Sequence, residues 1–214
     1  GRMLAWIEVG TPAIDRLHAE VRWTAGDARA RTTSVMRQML VDFVAAYRRG
    51  GTHELATYHD KEKPVDASAE FKRLLDASPY LVEYAPEFHS YVGSYPRESL
   101  PGVVDFFYWV KDKNAPKATV SVFHTSLWKD PGGVAFIASK QIYASHYVRV
   151  GLDLMALVPA TDGRKGFYLV DLFRSRIDPP GGMIGGVLIG KIRGGIEGSI
   201  SEGLKAARAR TLAP

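Results

Sequence analysis

Near Pro101 the spacing of apolar residues changes from the helical period of about 3.6 to the strand period of 2. A chain with this switch places its helices first and its sheet second, which points to an α+β fold. Upstream, Thr11 and Pro12 have the form of an N-cap and first helical residue, opening a helix to about Trp23 with Ile14, Leu17 and Val21 on one face. Asp27 then reads as the cap of a long helix, Ala28 to Arg49. Its wide apolar stripe contains Val35, Met39, Phe43 and Tyr47, and Gly50-Gly51 ends it. A short helix is expected over Thr52 to Tyr58, a polar loop over Lys61 to Pro64, and a helix from Ser68 carrying Phe71, Leu74 and Leu75. Ser78-Pro79 breaks that helix, and Tyr80 to Tyr91 reads as another, interrupted near Pro86. Ahead of all of these, Met3 to Val9 has the pattern of a short strand.

Downstream, strands are expected at Val103 to Val110, Ala118 to Trp128, Val134 to His146, Val148 to Pro159 and Gly166 to Ile177. The connections are short and polar, such as Pro131-Gly132-Gly133 and Thr161-Asp162-Gly163, so the strands form an antiparallel meander. Asp178-Pro179-Pro180 stops the last strand, and a terminal helix runs from about Gly182 to Arg210. The whole chain, 1–214, reads as one domain: a helical region 1–95, a sheet 101–178 and a helix 181–210.

That last helix has an unusual face. Gly182, Gly186, Gly190, Gly194 and Gly198 recur every four residues, which puts them along one side. Each costs about 1 kcal/mol relative to alanine inside a helix. Close backbone approach to a sheet or helix, or space kept for a ligand, would compensate.

Composition narrows the classes of function. The 214 residues include no cysteine, which excludes disulfides, thiolate nucleophiles and cysteine-ligated metal, and is compatible with cytoplasm or periplasm. The net charge of +5 is spread along the chain with acids among the bases, and no nucleic-acid motif is visible, so a nucleic-acid partner is not expected. The longest apolar stretch, Met183 to Ile189, is far short of the ~20 residues of a membrane span, which leads to the expectation of a soluble protein. No signal peptide is visible, although the start at Gly1-Arg2-Met3 looks trimmed.

The stretch YLVDLFRSRIDPPGG…IRGGIEGSISEGLKAARA, Tyr168 to Ala209, resembles the last strand and helix of the START-like, or polyketide cyclase/lipid-transfer, superfamily. LPGVVDFFYWVKD, SVFHTSLW and SKQIYASHYVRVGLDLMALV are similar to an uncharacterised bacterial group with that fold. The resemblance covers residues 101 to 210. It departs in the first half, where the family has a strand and two small helices and this chain has some 85 largely helical residues. It implies a helix-grip fold, a sheet wrapped on the terminal helix, holding a hydrophobic ligand between them, with transient membrane contact among the expected interactions. Cofactors are not implied.

Sites of bond chemistry are poorly supported. Gly185 to Ile192, GGVLIGKI, nearly matches a phosphate-binding loop but puts Ile192 where the magnesium-binding hydroxyl belongs. His53-Glu54 lacks the second histidine of a zinc helix, since Thr57 stands there, and the six histidines show no ligand spacing. No catalytic residue and no metal ligand are therefore nominated. His124 is placed so that it could pair with Asp153 or Asp171 across the sheet, but a hydrogen-bonded structural histidine is the favoured reading. Gln141, Tyr143, Ser145 and Tyr147 would share one face of their strand, either inward as hydrogen-bonding groups of a pocket or outward toward water. Arg174 and Arg176 suit a rim ion pair or an acidic headgroup. The expected ligand-binding set is Phe107, Trp109, Val122, His124, Gln141, Tyr143, Tyr147 and Arg174, with Gly186 and Gly190 of the bare helix face. A carrier or sensor of a lipid-, sterol- or polyketide-like molecule is the leading expectation. A cyclase-type enzyme using His124, Tyr143 and Tyr147 in the same pocket, or a protein-interaction module, is the alternative.

Overall fold

The computed structural model describes residues 11–55, 57–58, 65–112, 119–145, 148–161, 163, 166–177 and 183–211. The fold is α+β: helices, then a five-stranded antiparallel sheet, then a long C-terminal helix, an order consistent with a helix-grip-like arrangement. Helices α1 (Thr11–Glu20) and α2 (Ala28–Gly50) come first. Their contact is a small apolar cluster of Leu17, Val21 and Val35. Asp27 precedes α2, but its side chain makes no capping hydrogen bond.

Gly51 ends α2 with φ 68°. A side chain there would run into the Tyr95 carbonyl as well as adopt a left-handed backbone, so only glycine fits. The expected helix over Thr52 to Tyr58 is instead a 3-10 turn, Gly51–Glu54, followed by a minimal hairpin of β1 (Thr57–Tyr58) and β2 (Val65–Asp66). Asp66 then caps α3 (Ala67–Asp76) by accepting from the Ser68 and Ala69 amides at 2.8 and 3.2 Å. Pro79 and Pro86 occupy first-turn positions of α4 (Pro79–Tyr84) and α5 (Pro86–Ser94), so the predicted interruption separates two helices.

The sheet order is sequential: β3 (Val104–Asp112), β4 (Thr119–Lys129), β5 (Ala135–Ala144), β6 (Val148–Pro159) and β7 (Phe167–Ile177). The expected meander is thus observed, with boundaries moved by one or two residues. The strand read over Met3 to Val9 lies outside the described residues.

Among the described residues one face of this sheet is covered by helices and the other is not. The covered face carries Val122, Trp128, Phe136, Ala138, Leu152 and Leu154, packed against Tyr47 of α2, Phe71, Leu74 and Leu75 of α3, and Phe88, Tyr91 and Val92 of α5. Phe88 stacks on Trp128 at 5.9 Å between ring centroids, and Trp128 on Phe136 at 6.0 Å. Helix α6 (Met183–Thr211) follows β7. Among its described positions Ile200, Leu204 and Ala207 are half-buried and the rest exposed. At Gly190, Gly194 and Gly198 an added Cβ would meet nothing within 4 Å, so no described sheet or helix residue packs against them there. No helix among the described residues is long and apolar enough to cross a membrane.

Candidate functional site

Two polar constellations lie on opposite faces of the sheet. The buried one is set by the β3–β4 register, which puts Asp105 opposite Ser126 and Phe107 opposite His124. Asp105 is thereby a diagonal neighbour of His124 on the covered face. Its Oδ1 accepts from Ser126 Oγ at 2.7 Å and from His124 Nε2 at 2.8 Å, and its Oδ2 accepts from the Tyr91 hydroxyl. An ionised carboxylate only accepts, so we assign the imidazole proton to Nε2, which leaves Nδ1 to accept from Tyr47 Oη at 3.1 Å. Burial raises the Asp105 pKa, but the hydrogen bonds from His124, Tyr91 and Ser126 outweigh it and hold the carboxyl below its ordinary value. Burial lowers the His124 pKa against the opposing pull of Asp105, so the ring is neutral. Burial likewise raises Tyr47 and Tyr91.

The partner of His124 is therefore Asp105, not Asp153 or Asp171, which sit two and three strands away from β4. Both of its ring nitrogens are engaged and the residue is 2% exposed, with Phe107 stacked on it at 4.7 Å and Tyr95 at 4.3 Å. A general base needs reach to a substrate proton. Here the dyad is a clamp tying α2 and α5 to β3 and β4.

Lys140, opposite His124 on β5, is also 2% exposed. Its Nζ donates to Thr52 Oγ1 at 3.1 Å and to the Val92 carbonyl at 3.2 Å, and lies 3.9 Å from the centre of the Phe71 ring. Burial pushes its pKa down to about 7.

The other sequence-predicted residues disperse. Val122 is in the covered core and Tyr143 packs against Phe43 at 6.0 Å. Gln141 does not share a face with Tyr143: the β4–β5 register shifts at Val122/Phe123, pairing Tyr143 with Val122 but Gln141 with Phe123. Gln141 Nε2 reaches Ser121 Oγ at 3.3 Å, and its side chain fills the space above Gly151. Trp109 belongs to the covered face by alternation, yet lies beyond the helices and is 65% exposed. Arg174 is half-buried, and its Nε is shielded with no hydrogen-bond partner among the described residues. Arg176 is the rim ion pair, 3.5 Å from Glu70 of α3. Tyr147 lies outside the described residues, as does Gly182. Gly186 is in α6, and Gly190 of the same helix faces open space. Ser145 Oγ accepts from the Val120 amide at 2.9 Å. No three His, Asp or Glu side chains among the described residues converge on a metal site.

The open face holds what sequence reasoning missed. Register aligns Phe106, Thr125, Ser139, Asp153 and Phe173 as one row across all five strands. Around it lies a shallow trough of about 350 Å³ with apolar walls from Phe106, Tyr108, Ile137 and Met155 and a polar floor of Thr125, Ser139 and Asp153. Thr125 Oγ1 and Ser139 Oγ are hydrogen-bonded at 2.7 Å, and Tyr108 Oη lies 3.3 Å from Ser139 Oγ. Burial, with the neighbouring carboxyl of Asp171, pushes the pKa of Asp153 up, and a hydrogen bond joins the two groups. The Oδ1 atoms of both are shielded from solvent and have no hydrogen-bond partner among the described residues. The available signal was the run VVDFFYWV, in which both alternating sets are aromatic or β-branched apart from Asp105, as suits a strand with two largely apolar faces.

No protein-family model matches this chain, nor does a curated protein or a solved structure.

Proposed function

We propose that this protein binds a hydrophobic small molecule, of lipid, sterol or polyketide-like character, as a carrier or sensor rather than as an enzyme. The observation that carries this reading is the trough on the open face of the sheet. Its volume of about 350 Å³ falls at the lower end of small-molecule sites, and its lining has their usual form, apolar walls with a few polar groups. Binding energy comes from covering Phe106, Ile137 and Met155, while Thr125, Ser139 and Asp153 select the orientation of a polar head. The site is proposed on the face opposite the one the resemblance implies, because Tyr47, Phe71, Phe88 and Trp128 fill the covered side. An enzyme using His124 is disfavoured by the engagement of both of its ring nitrogens.

Native mass spectrometry with oleate, cholesterol and a fluorescent naphthalene sulfonate as probes tests this reading. A 1:1 complex is expected with at least one probe, weakened about tenfold or more by Ile137→Lys with little change in melting temperature. Failure of every probe, or binding indifferent to Ile137→Lys, would overturn it.

A further inference from the structure

Strand β3 is an edge of the sheet among the described residues, and its charges, Asp105, Lys111 and Asp112, sit toward its ends and leave the middle without the usual protections of an edge. Its nine pairs with β4, from Val104–Leu127 to Asp112–Thr119, run without a bulge. Between Asp105 and Lys111 it carries no charge and no proline. Val104, Phe106, Tyr108, Trp109 and Val110 are all exposed, so apolar surface flanks the free backbone on both faces. The opposite edge, β7, differs: Asp171, Arg174 and Arg176 interrupt it. A strand of nine residues offers a seam of about 30 Å of amides and carbonyls that no described strand pairs with.

We propose that β3 is the seam of a homodimer, in which two copies pair antiparallel about Tyr108 and their sheets become one of ten strands. Over residues 105–111 the strand is complementary to itself in this register. A two-fold axis normal to the sheet at Tyr108 sets Phe107 against Trp109 of the partner copy on one face and Phe106 against Val110 on the other. It also sets Asp105 against Lys111, twice by symmetry, so that opposite charges face each other. Moving the register by two residues either way places Asp105 opposite Trp109, or Lys111 opposite Phe107, and the charge match is lost. The pairing covers Trp109, the most exposed aromatic of the strand, for which the chain's own helices provide no cover. It also lays the two troughs side by side, since Phe106 and Tyr108 line the trough and the seam alike.

The chain has no cysteine, so a single introduced thiol reports register without background. Light scattering of the intact protein at tens of micromolar should give twice 23.6 kDa. Trp109→Lys, a change at an exposed side chain outside the trough, should raise the dimer dissociation constant about tenfold or more while leaving the far-ultraviolet circular dichroism unchanged. Under mild oxidation Tyr108→Cys should form a disulfide-linked dimer, because residue 108 faces itself across the axis, whereas Val104→Cys should not. A monomer throughout, a dimer indifferent to Trp109→Lys, or cross-linking through position 104 in place of 108 would overturn the proposal. These readouts use no ligand, so they stand or fall apart from the binding test above.

Discussion

Lys140 shows how a single side chain sets the pH response of this fold. With no carboxylate beside it among the described residues and an aromatic ring 3.9 Å away, its ammonium is held by one hydroxyl and one carbonyl. The folded pKa is about 7 and the ordinary value 10.5. Between these the unfolded chain binds more protons than the folded one, so stability rises with pH, by up to about 1.4 kcal/mol per unit from this residue. Below about pH 7 the penalty is constant and complete. Urea unfolding of Lys140→Met should therefore show a flatter dependence between about pH 7 and 9.5, and a stability gain that is largest at neutral pH. An unchanged slope would mean that the amine is not the titrating group. Lys140 was visible in the sequence as a polar residue of a strand, but its burial was not. That depends on α3 and the 3-10 turn closing over it, contacts made by Phe71 and Thr52 from 69 and 88 positions earlier in the chain. The partner of His124 was hidden for a related reason, since only the register of β3 on β4 brings Asp105, 19 positions earlier, to it.

Helix α6 carries its glycines at a cost that nothing around Gly190, Gly194 or Gly198 offsets, because a Cβ at each would meet open space. Alanine at these three positions should raise helicity and stability, by about 1 kcal/mol per site, as read by circular dichroism through a thermal melt. A loss of stability would reveal a neighbour that requires a bare backbone. The elements themselves were largely legible: aromatic and β-branched runs with polar turns marked all five strands, and α3 followed from Phe71, Leu74 and Leu75 at helical spacing. Two local features were not. The segment after Gly51 left the helix because of a left-handed residue packed under Tyr95, and the irregularity at Val122/Phe123 placed Gln141 and Tyr143 on opposite faces. Both depend on chain partners that are remote in sequence.

At the scale of the molecule the helices cover a single face of the sheet, and the terminal helix leaves most of its described side chains in water. Amide hydrogen exchange should accordingly be slowest along β4, β5 and β6, whose neighbours pair on both sides and whose inner residues are buried, and fast along α6. Protection of α6 equal to that of β5 would show that the two unfold together. Alternation along the strands made this two-layer plan readable in outline, but not the choice of which face stays open, because Phe106 and Phe107 are chemically equal candidates for the interior. That choice has an evolutionary consequence. Substitutions at the exposed positions of the uncovered side, such as Phe106 and Tyr108, disturb little of the packed interior, so descendants of this chain can vary there while inheriting the same scaffold unchanged.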